Sequence, residues 1–399
     1  MESHALALQI VKLAAYYGVS KGTMASAITL TMLFRMGAAI WGIVADAFGR
    51  RAALTTNLWF LALMQIASIY ASTFPAFLAT RAFFGVGMGG IFGCGASRAF
   101  ESIPVRARGV YSGIFQSAFP ISYIVAAAAN LAIGPAHWPT LFAIGAGLSF
   151  AVGCFRAILP EAPRYLEARK AGHATKAFFS NFRKMMVVDW PVMLYISVLV
   201  AWLLVHGHAL QDSYVTFLVT SKGFNNSQAS RNAIYAKLGA TFGSLAIAYF
   251  SQSLGRRRTM IVCLIIAAAV LPAAVIPTSE GALGAGAFWL QAWAQSWSVI
   301  PIYLSEICHP SWRALVVGLS YQVGAALSSP TTQVVNILAE RFHTITPEGR
   351  HVEAYGPVMA IVSSIAVVVI VVLLAFGPER LGTRFEEAPL ATEEDEGKL

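Results

Sequence analysis

The chain has 399 residues, of which 57% are hydrophobic and only 12% charged, with a net charge of +9. A water-soluble domain carries about 25% charged residues, so half that share excludes a soluble enzyme and points to a chain that crosses a bilayer many times. The basic balance invites a nucleic-acid reading, but the positive residues sit in short connections between apolar runs, which argues against it.

A spanning helix takes about 20 mainly apolar residues. The first apolar stretch, His4–Tyr17, contains Lys12 and is shorter than that. About 14 residues at 1.5 Å each reach about 21 Å, against roughly 30 Å of hydrocarbon. It reads as the remnant of a first helix, and it lacks the basic leading region of a signal peptide. Runs of spanning length follow near 24–45, 53–72, 75–99, 109–133, 138–159, 191–219, 230–252, 259–278, 281–305, 314–338 and 355–377. They are long and continuous, with no ten-residue alternation, so an all-α integral membrane protein is expected rather than a barrel.

The connections fall into two sets. One holds Arg50, Arg51, Arg106 and Arg108, then Arg164, Arg169, Lys170, Lys176, Arg183 and Lys184, then Arg256–Arg258, then Arg313. The alternate set is poor: Lys21, Lys222, Arg231, Arg341 and Arg350. The positive-inside rule places the rich set, the 160–190 linker and the C-terminus in the cytoplasm. From Glu386 to Leu399 six acids and one lysine describe a solvated tail. Cys94, Cys154, Cys263 and Cys308 lie in or beside apolar stretches, without zinc-ligand spacing or a readable disulfide framework. No nucleophile–base set stands out either, so neither an enzyme nor a metal or other cofactor is expected.

An internal repeat organises the chain. Gly49-Arg50-Arg51 recurs 206 residues later as Gly255-Arg256-Arg257, Glu101 with Arg108 recurs as Glu306 with Arg313, and Pro160-Glu161 recurs as Pro378-Glu379. Two parallel repeats joined by a charged linker describe a transporter. The expected units are an N-terminal bundle over 1–159, a cytoplasmic linker over 160–190, a C-terminal bundle over 191–377 and an acidic tail over 378–399. Shifting the seventh helix back by 206 places its partner partly before Met1, so the first helix is expected to be truncated.

Ionisable side chains within a membrane cost about 2.5–3.5 kcal/mol on insertion scales, so each needs a reason. Arg35 lies 11 residues before Asp46, about 16 Å deep at helical rise, where its planar fork suits a carboxylate. His208 and Asp212 are four apart and share a helix face, with Thr216 the next step along. An acid beside an imidazole can trade a proton, so the pair is the candidate for proton coupling. His206 falls on another face. Glu101, Arg108, Glu306 and Arg313, with Asp46, Arg50 and Arg51, recur at the expected cytoplasmic ends and read as gating ion pairs. Lys237, seven residues inside the eighth helix, is expected to snorkel to the outer interface. Gly85, Gly87, Gly89, Gly90, Gly93 and Gly95 form a stripe that lets helices approach closely; a nucleotide loop is not expected there, since no strand precedes it. Asn225-Asn226-Ser227 is a weak N-glycosylation signal on a predicted outer loop.

Several phrases resemble a known family. Gly42 to Arg51, with Asp46, Gly49, Arg50 and Arg51, resembles the loop signature of the major facilitator superfamily, and Ala248 to Arg257 is its weaker copy, with Gln252 in the acid's place. Arg81 with its glycines looks like the fourth-helix motif, and Pro160-Glu-Ala-Pro-Arg164 the phrase closing the sixth helix. His208, Gln211, Asp212 and Thr216 are similar to a signature of fungal lactate/pyruvate:proton symporters of the sialate:proton symporter family. Leu204, Gly207 and Leu210 stand where that signature has an Asn and two hydroxyls. Gln322-Val-Gly-Ala325 resembles a substrate-contacting phrase that ends in Asn, and Arg35 sits where the family has an intramembrane arginine.

The resemblance implies a major facilitator fold of two pseudo-symmetric six-helix halves and proton-coupled uptake of a small carboxylate at the plasma membrane by a monomer. Arg35, Gln211 and Gln322 would bind substrate, and His208 and Asp212 would carry the proton. Two alternatives stay open: another organic acid, such as a dicarboxylate or sialic acid, or an inactive or sensing paralogue without a complete first helix.

Overall fold

A computed structural model describes residues 2–37, 41, 44, 50–101, 107–133, 138–159, 187, 189–308, 313–345 and 349–379. Asp46, most of the 160–190 linker and the acidic tail beyond Glu379 lie outside the described residues. So do the side chains of residues 2, 3, 50, 92–101 and 313–315.

The first stretch, expected as a remnant, is a helix, α1 (Glu2–Tyr17). It is packed into the core: Ala5, Leu6, Ile10 and Leu13 are buried, Gln9 donates to Asn130 at 2.5 Å and the Tyr17 hydroxyl to the Ala71 carbonyl at 2.7 Å. Gly18, at φ 65°, turns the chain out of it. Next comes α2 (Lys21–Leu33), capped by the Ser20 side chain accepting from the Thr23 N–H. It tightens into a 3₁₀ turn over Phe34–Gly37. The chain continues through α3 (Arg50–Ile69), α4 (Phe74–Glu101), α5 (Arg108–Ile133) and α6 (Trp138–Ile158).

The second half departs from the sequence expectation in the continuity of its helices. The run expected over 191–219 is divided into α7 (Trp190–Gln211) and α8 (Tyr214–Thr220). After α9 (Asn226–Leu254), opened by a capping box between Asn225 and Gln228, and α10 (Arg256–Val275), the tenth run is divided too. It comprises α11 (Glu280–Ala294), a 3₁₀ turn over Gln295–Val299 and α12 (Ile300–Ile307). The eleventh is split at Ser329-Pro330 into α13 (Arg313–Ser328) and α14 (Thr331–Arg341), because proline offers no N–H to continue the helix. A hairpin that hydropathy does not reveal, β1 (His343–Ile345) against β2 (His351–Glu353), pairs antiparallel with Thr344 opposite Val352. It leads into α15 (Tyr355–Phe376). Eight helical stretches among the described residues are long and apolar enough to cross a membrane. The runs expected at 24–45, 281–305 and 314–338 are not among them: the longest described helices within them, α2, α11 and α13, have 13, 15 and 16 residues, short of a span.

Small residues set the closest contacts, as the glycine stripe suggests. A Cβ at Gly85 would lie 2.3 Å from the Thr31 carbonyl oxygen, so glycine lets α4 press on α2. At Gly243 a Cβ would lie 2.0 Å from the Ala292 carbonyl oxygen, which seats α9 on α11.

The helices before residue 159 meet those after 189 along two seams. In one, α5 packs on α9, and the Ser112 hydroxyl donates to the Ser298 carbonyl at 2.6 Å. In the other, α2 packs on α14. There the Glu340 carboxylate accepts from the backbone N–H of Lys21 at 2.9 Å and of Gly22 at 3.3 Å, and Lys21 Nζ reaches Glu353 at 2.5 Å.

Candidate functional site: a polar-ended cavity between the two sets of helices

A cavity of about 640 Å³ lies between the seams, lined from both sides. Arg35, Gln211, Asp212 and Gln295 among its polar groups lie where helices are interrupted. Irregular backbone at membrane depth is tolerated where it borders a cavity, and discontinuous helices mark the binding sites of many transporters.

Arg35 enters from the 3₁₀ turn that ends α2. The turn presses against α4: a Cβ on Gly37 would lie 2.7 Å from Val86 Cγ1. Arg35 Nε is buried with no hydrogen-bond partner within the protein. Buried donors are nearly always satisfied, so an orphan on a residue that borders a cavity marks a place where a bound acceptor would fit. Arg81 of α4 also borders the cavity; its Nη1 donates to Gln65 at 2.8 Å and its guanidinium lies 4.0 Å from the Phe84 ring centre.

The break between α7 and α8 places Asp212. Its backbone N–H still donates to the His208 carbonyl at 3.1 Å, and its Oδ2 lies 2.7 Å from His208 Nδ1. The same oxygen accepts from Thr332 Oγ1 at 2.7 Å, from the first turn of α14. Asn336, one turn further along α14, donates to the Ser213 hydroxyl at 3.1 Å and accepts from Tyr355 at 2.9 Å. The two interrupted helices are thus tied together by side chains where their ladders lapse. His208 and Asp212 are 17% and 15% exposed through their side chains, and both border the cavity.

The pairing of His208 with Asp212 agrees with the four-residue spacing. Thr216 does not continue their row: it lies beyond the break, on α8, and is buried. Gln211 borders the cavity and accepts a short hydrogen bond from Lys237 Nζ. Lys237 therefore corrects the snorkelling expectation. It is 3% exposed, and its ammonium lies 4.8 Å from the Tyr123 ring centre. His206, placed by its spacing on another face, is buried, shares a 3.0 Å hydrogen bond with Ser363 and also borders the cavity. Gln322 donates to the Gly89 carbonyl at 3.2 Å, and its Oε1 is buried without a partner. His4 of α1 borders the cavity with its ring 4.5 Å from that of Phe119.

Among the candidate gating residues whose side chains are described, Arg51, Arg108 and Glu306 do not border this cavity. Glu306 ends α12 and is clasped by Arg256, which opens α10: Nε and Nη2 each reach a carboxylate oxygen at 3.1 Å. Arg256 also donates to Ser251 at 2.7 Å and to Gln252 at 3.3 Å. Glu306 thus has a partner from the second Gly-Arg-Arg phrase, 50 residues away, a pairing the repeat arithmetic did not identify. Arg108 opens α5 fully buried, and Arg51 in the first turn of α3 is exposed. Arg50, Glu101 and Arg313 stand at the ends of α3, α4 and α13, but their side chains lie outside the described residues, as Asp46 does entirely.

Comparison with known proteins follows the same lines. A family model described as Major Facilitator Superfamily matches residues 2–329. The chain is 30% identical over 351 residues to the carboxylic acid transporter protein homolog of Saccharomyces cerevisiae, spanning 82% of this chain and 57% of that one. It is 24% identical over 302 residues to the 3-(3-hydroxy-phenyl)propionate transporter of Escherichia coli, across 74% of this chain and 72% of that one. Among solved structures, a D-xylose-proton symporter superposes with a TM-score of 0.76 over 96% of this chain and 95% of that one, at 16% identity.

Proposed function

The chain belongs to the major facilitator superfamily, and on that premise we propose that it carries a small organic carboxylate across the membrane together with a proton. A lactate- or pyruvate-like acid is the form that the resemblance of residues 208–216 implies. The likeness to a yeast carboxylic acid transporter homolog and to a bacterial 3-(3-hydroxy-phenyl)propionate transporter is consistent with this reading. The single observation that carries it is the unsatisfied Arg35 Nε at a cavity that also meets the His208–Asp212 pair.

The chemistry follows from those groups. Arg35 offers a carboxylate two parallel charge-assisted hydrogen bonds, and Gln322 and Gln211 shape the site around it. Asp212 accepts from Thr332 and faces His208, so its charge can be neutralised by a proton that arrives with the substrate and leaves with it. The driving force is adequate: about 2.3 kcal/mol per charge for each 100 mV and about 1.4 kcal/mol per pH unit.

Alternating access would rock a bundle of residues 1–159 against one of residues 191–377, joined through the 160–190 linker. With the arginine-rich connections and the tail from 378 onward in the cytoplasm, the Lys21–Glu353 and Glu340 contacts close the outer end. Asp46, Arg50, Arg51, Glu101, Arg108, Glu306 and Arg313 would latch the inner end. We place the protein in the plasma membrane, working as a monomer.

The test is uptake of labelled carboxylate into proteoliposomes. Acid outside should accelerate entry, and Arg35→Ala should reduce it at least a hundredfold, since two charge-assisted hydrogen bonds are worth about 3 kcal/mol or more together. Uptake untouched by the substitution would reject the carboxylate clamp.

A further inference from the structure

We infer that the carried acid bears an apolar body of aromatic-ring size rather than being a three-carbon hydroxy or keto acid. The inference rests on the carboxylate reading above and deepens it. Lactate has six heavy atoms. At about 30 Å³ each, the share of one water molecule in the liquid, it would fill at most about 180 Å³ of the roughly 640 Å³ present.

What surrounds the remaining space decides its occupant. On α7 the cavity wall holds Leu204, Gly207 and Leu210, the three positions where the resembled signature carries an Asn and two hydroxyls. Phe115 and Phe119 of α5 and Trp297 of the 3₁₀ turn after α11 line it as well. Water against such walls makes few hydrogen bonds, and an apolar group that displaces it gains affinity. Tyr321 and Trp297 border the cavity together with Arg35, and their two rings meet edge to face with centroids 5.9 Å apart. A ligand ring joins such a group with the same geometry, its edge or face on theirs. A carboxylate at Arg35 with a ring beside it therefore matches the site in charge, size and surface. The pocket's volume and mostly apolar lining are those of sites that bury most of a ligand's surface.

Lactate and 3-phenyllactate test this, because they share the hydroxy-acid head and differ by the phenyl ring alone. The full chain is reconstituted, and the entry of each labelled acid is measured above protein-free vesicles. A half-saturating concentration at least tenfold lower for 3-phenyllactate is expected. Equal values, or a preference for lactate, would overturn the inference and leave the carboxylate reading standing. Entry of neither acid would overturn both.

Two variants locate the ring. A Cβ at Gly207 would meet only Gln211 Nε2, at 3.5 Å, so Gly207→Val adds apolar bulk to the cavity wall. It should raise the half-saturating concentration of 3-phenyllactate at least tenfold more than that of lactate. Leu204→Asn, close in size but polar, should shift preference in the same direction. Equal effects on both acids in both variants would contradict the placement of the ring on α7.

Discussion

At the residue scale, the site rests on side chains that have no reason to be in a membrane other than each other and a ligand. His208 and Asp212 were legible because four residues make one helical turn. Thr332 on the same carboxylate oxygen was not, since it comes from 120 residues away. Lys237 shows the limit most clearly: its depth along α9 is compatible with snorkelling, and only the packed fold reveals Gln211 accepting from it and Tyr123 beneath it. The arginine allows a sharp substitution test. Arg35→Lys keeps the charge but loses the planar fork, so it should retain measurable uptake with a half-saturating concentration raised about tenfold or more, one lost hydrogen bond to a charged group being worth about 1.5 kcal/mol or more. Kinetics indistinguishable from those of the parent would mean that the charge alone suffices.

At the element scale, the apolar runs announced most of the helices, while their interruptions stayed hidden. Hydropathy averages over some twenty residues, and Asp212-Ser213 or Ser329-Pro330 barely alters the average. Yet those two breaks present Asp212 and Thr332 to each other. The hairpin over 343–353 was missed for a related reason: each strand is three residues long, too short to show alternation. Two ion pairs carry predictions here. The Arg256–Glu306 pair is buried, so Glu306→Gln leaves a guanidinium uncompensated at a cost of about 3–5 kcal/mol. Thermal unfolding in detergent should show a clearly lower Tm, most of it regained when Arg256→Met and Glu306→Met are combined; an unchanged Tm for Glu306→Gln would contradict the pair's structural weight. At the other end, Lys21→Gln removes the ammonium that joins α2 to Glu353. A cysteine introduced at Ile28, a buried residue on the cavity wall, should then react severalfold faster with an impermeant thiol reagent applied from outside. Unaltered labelling would mean that this contact does not govern the closure.

At the scale of the whole molecule, composition and repeat carry the fold, because a bilayer leaves few alternatives. Every backbone polar group must be satisfied within helices or barrels, so long apolar runs become helices, and two copies of Gly-Arg-Arg 206 residues apart imply two related sets. The same reasoning does not reach the cavity, whose walls are assembled from both sets and whose size no periodicity encodes. Arg35, His208 and Asp212 stood out in the sequence because charge is costly in lipid; the cavity's apolar breadth did not, because leucines and phenylalanines facing a void look like those facing lipid. The central claim is that Arg35 holds the anion while Asp212 carries the proton, and one experiment addresses both. A pH-sensitive dye inside proteoliposomes reports lumen acidification when carboxylate is added outside, corrected for protein-free vesicles, alongside the exchange of labelled for unlabelled carboxylate at equal pH. Asp212→Asn should abolish the acidification while exchange persists, and Arg35→Ala should abolish both. Undiminished acidification in Asp212→Asn, or undiminished exchange in Arg35→Ala, would contradict it.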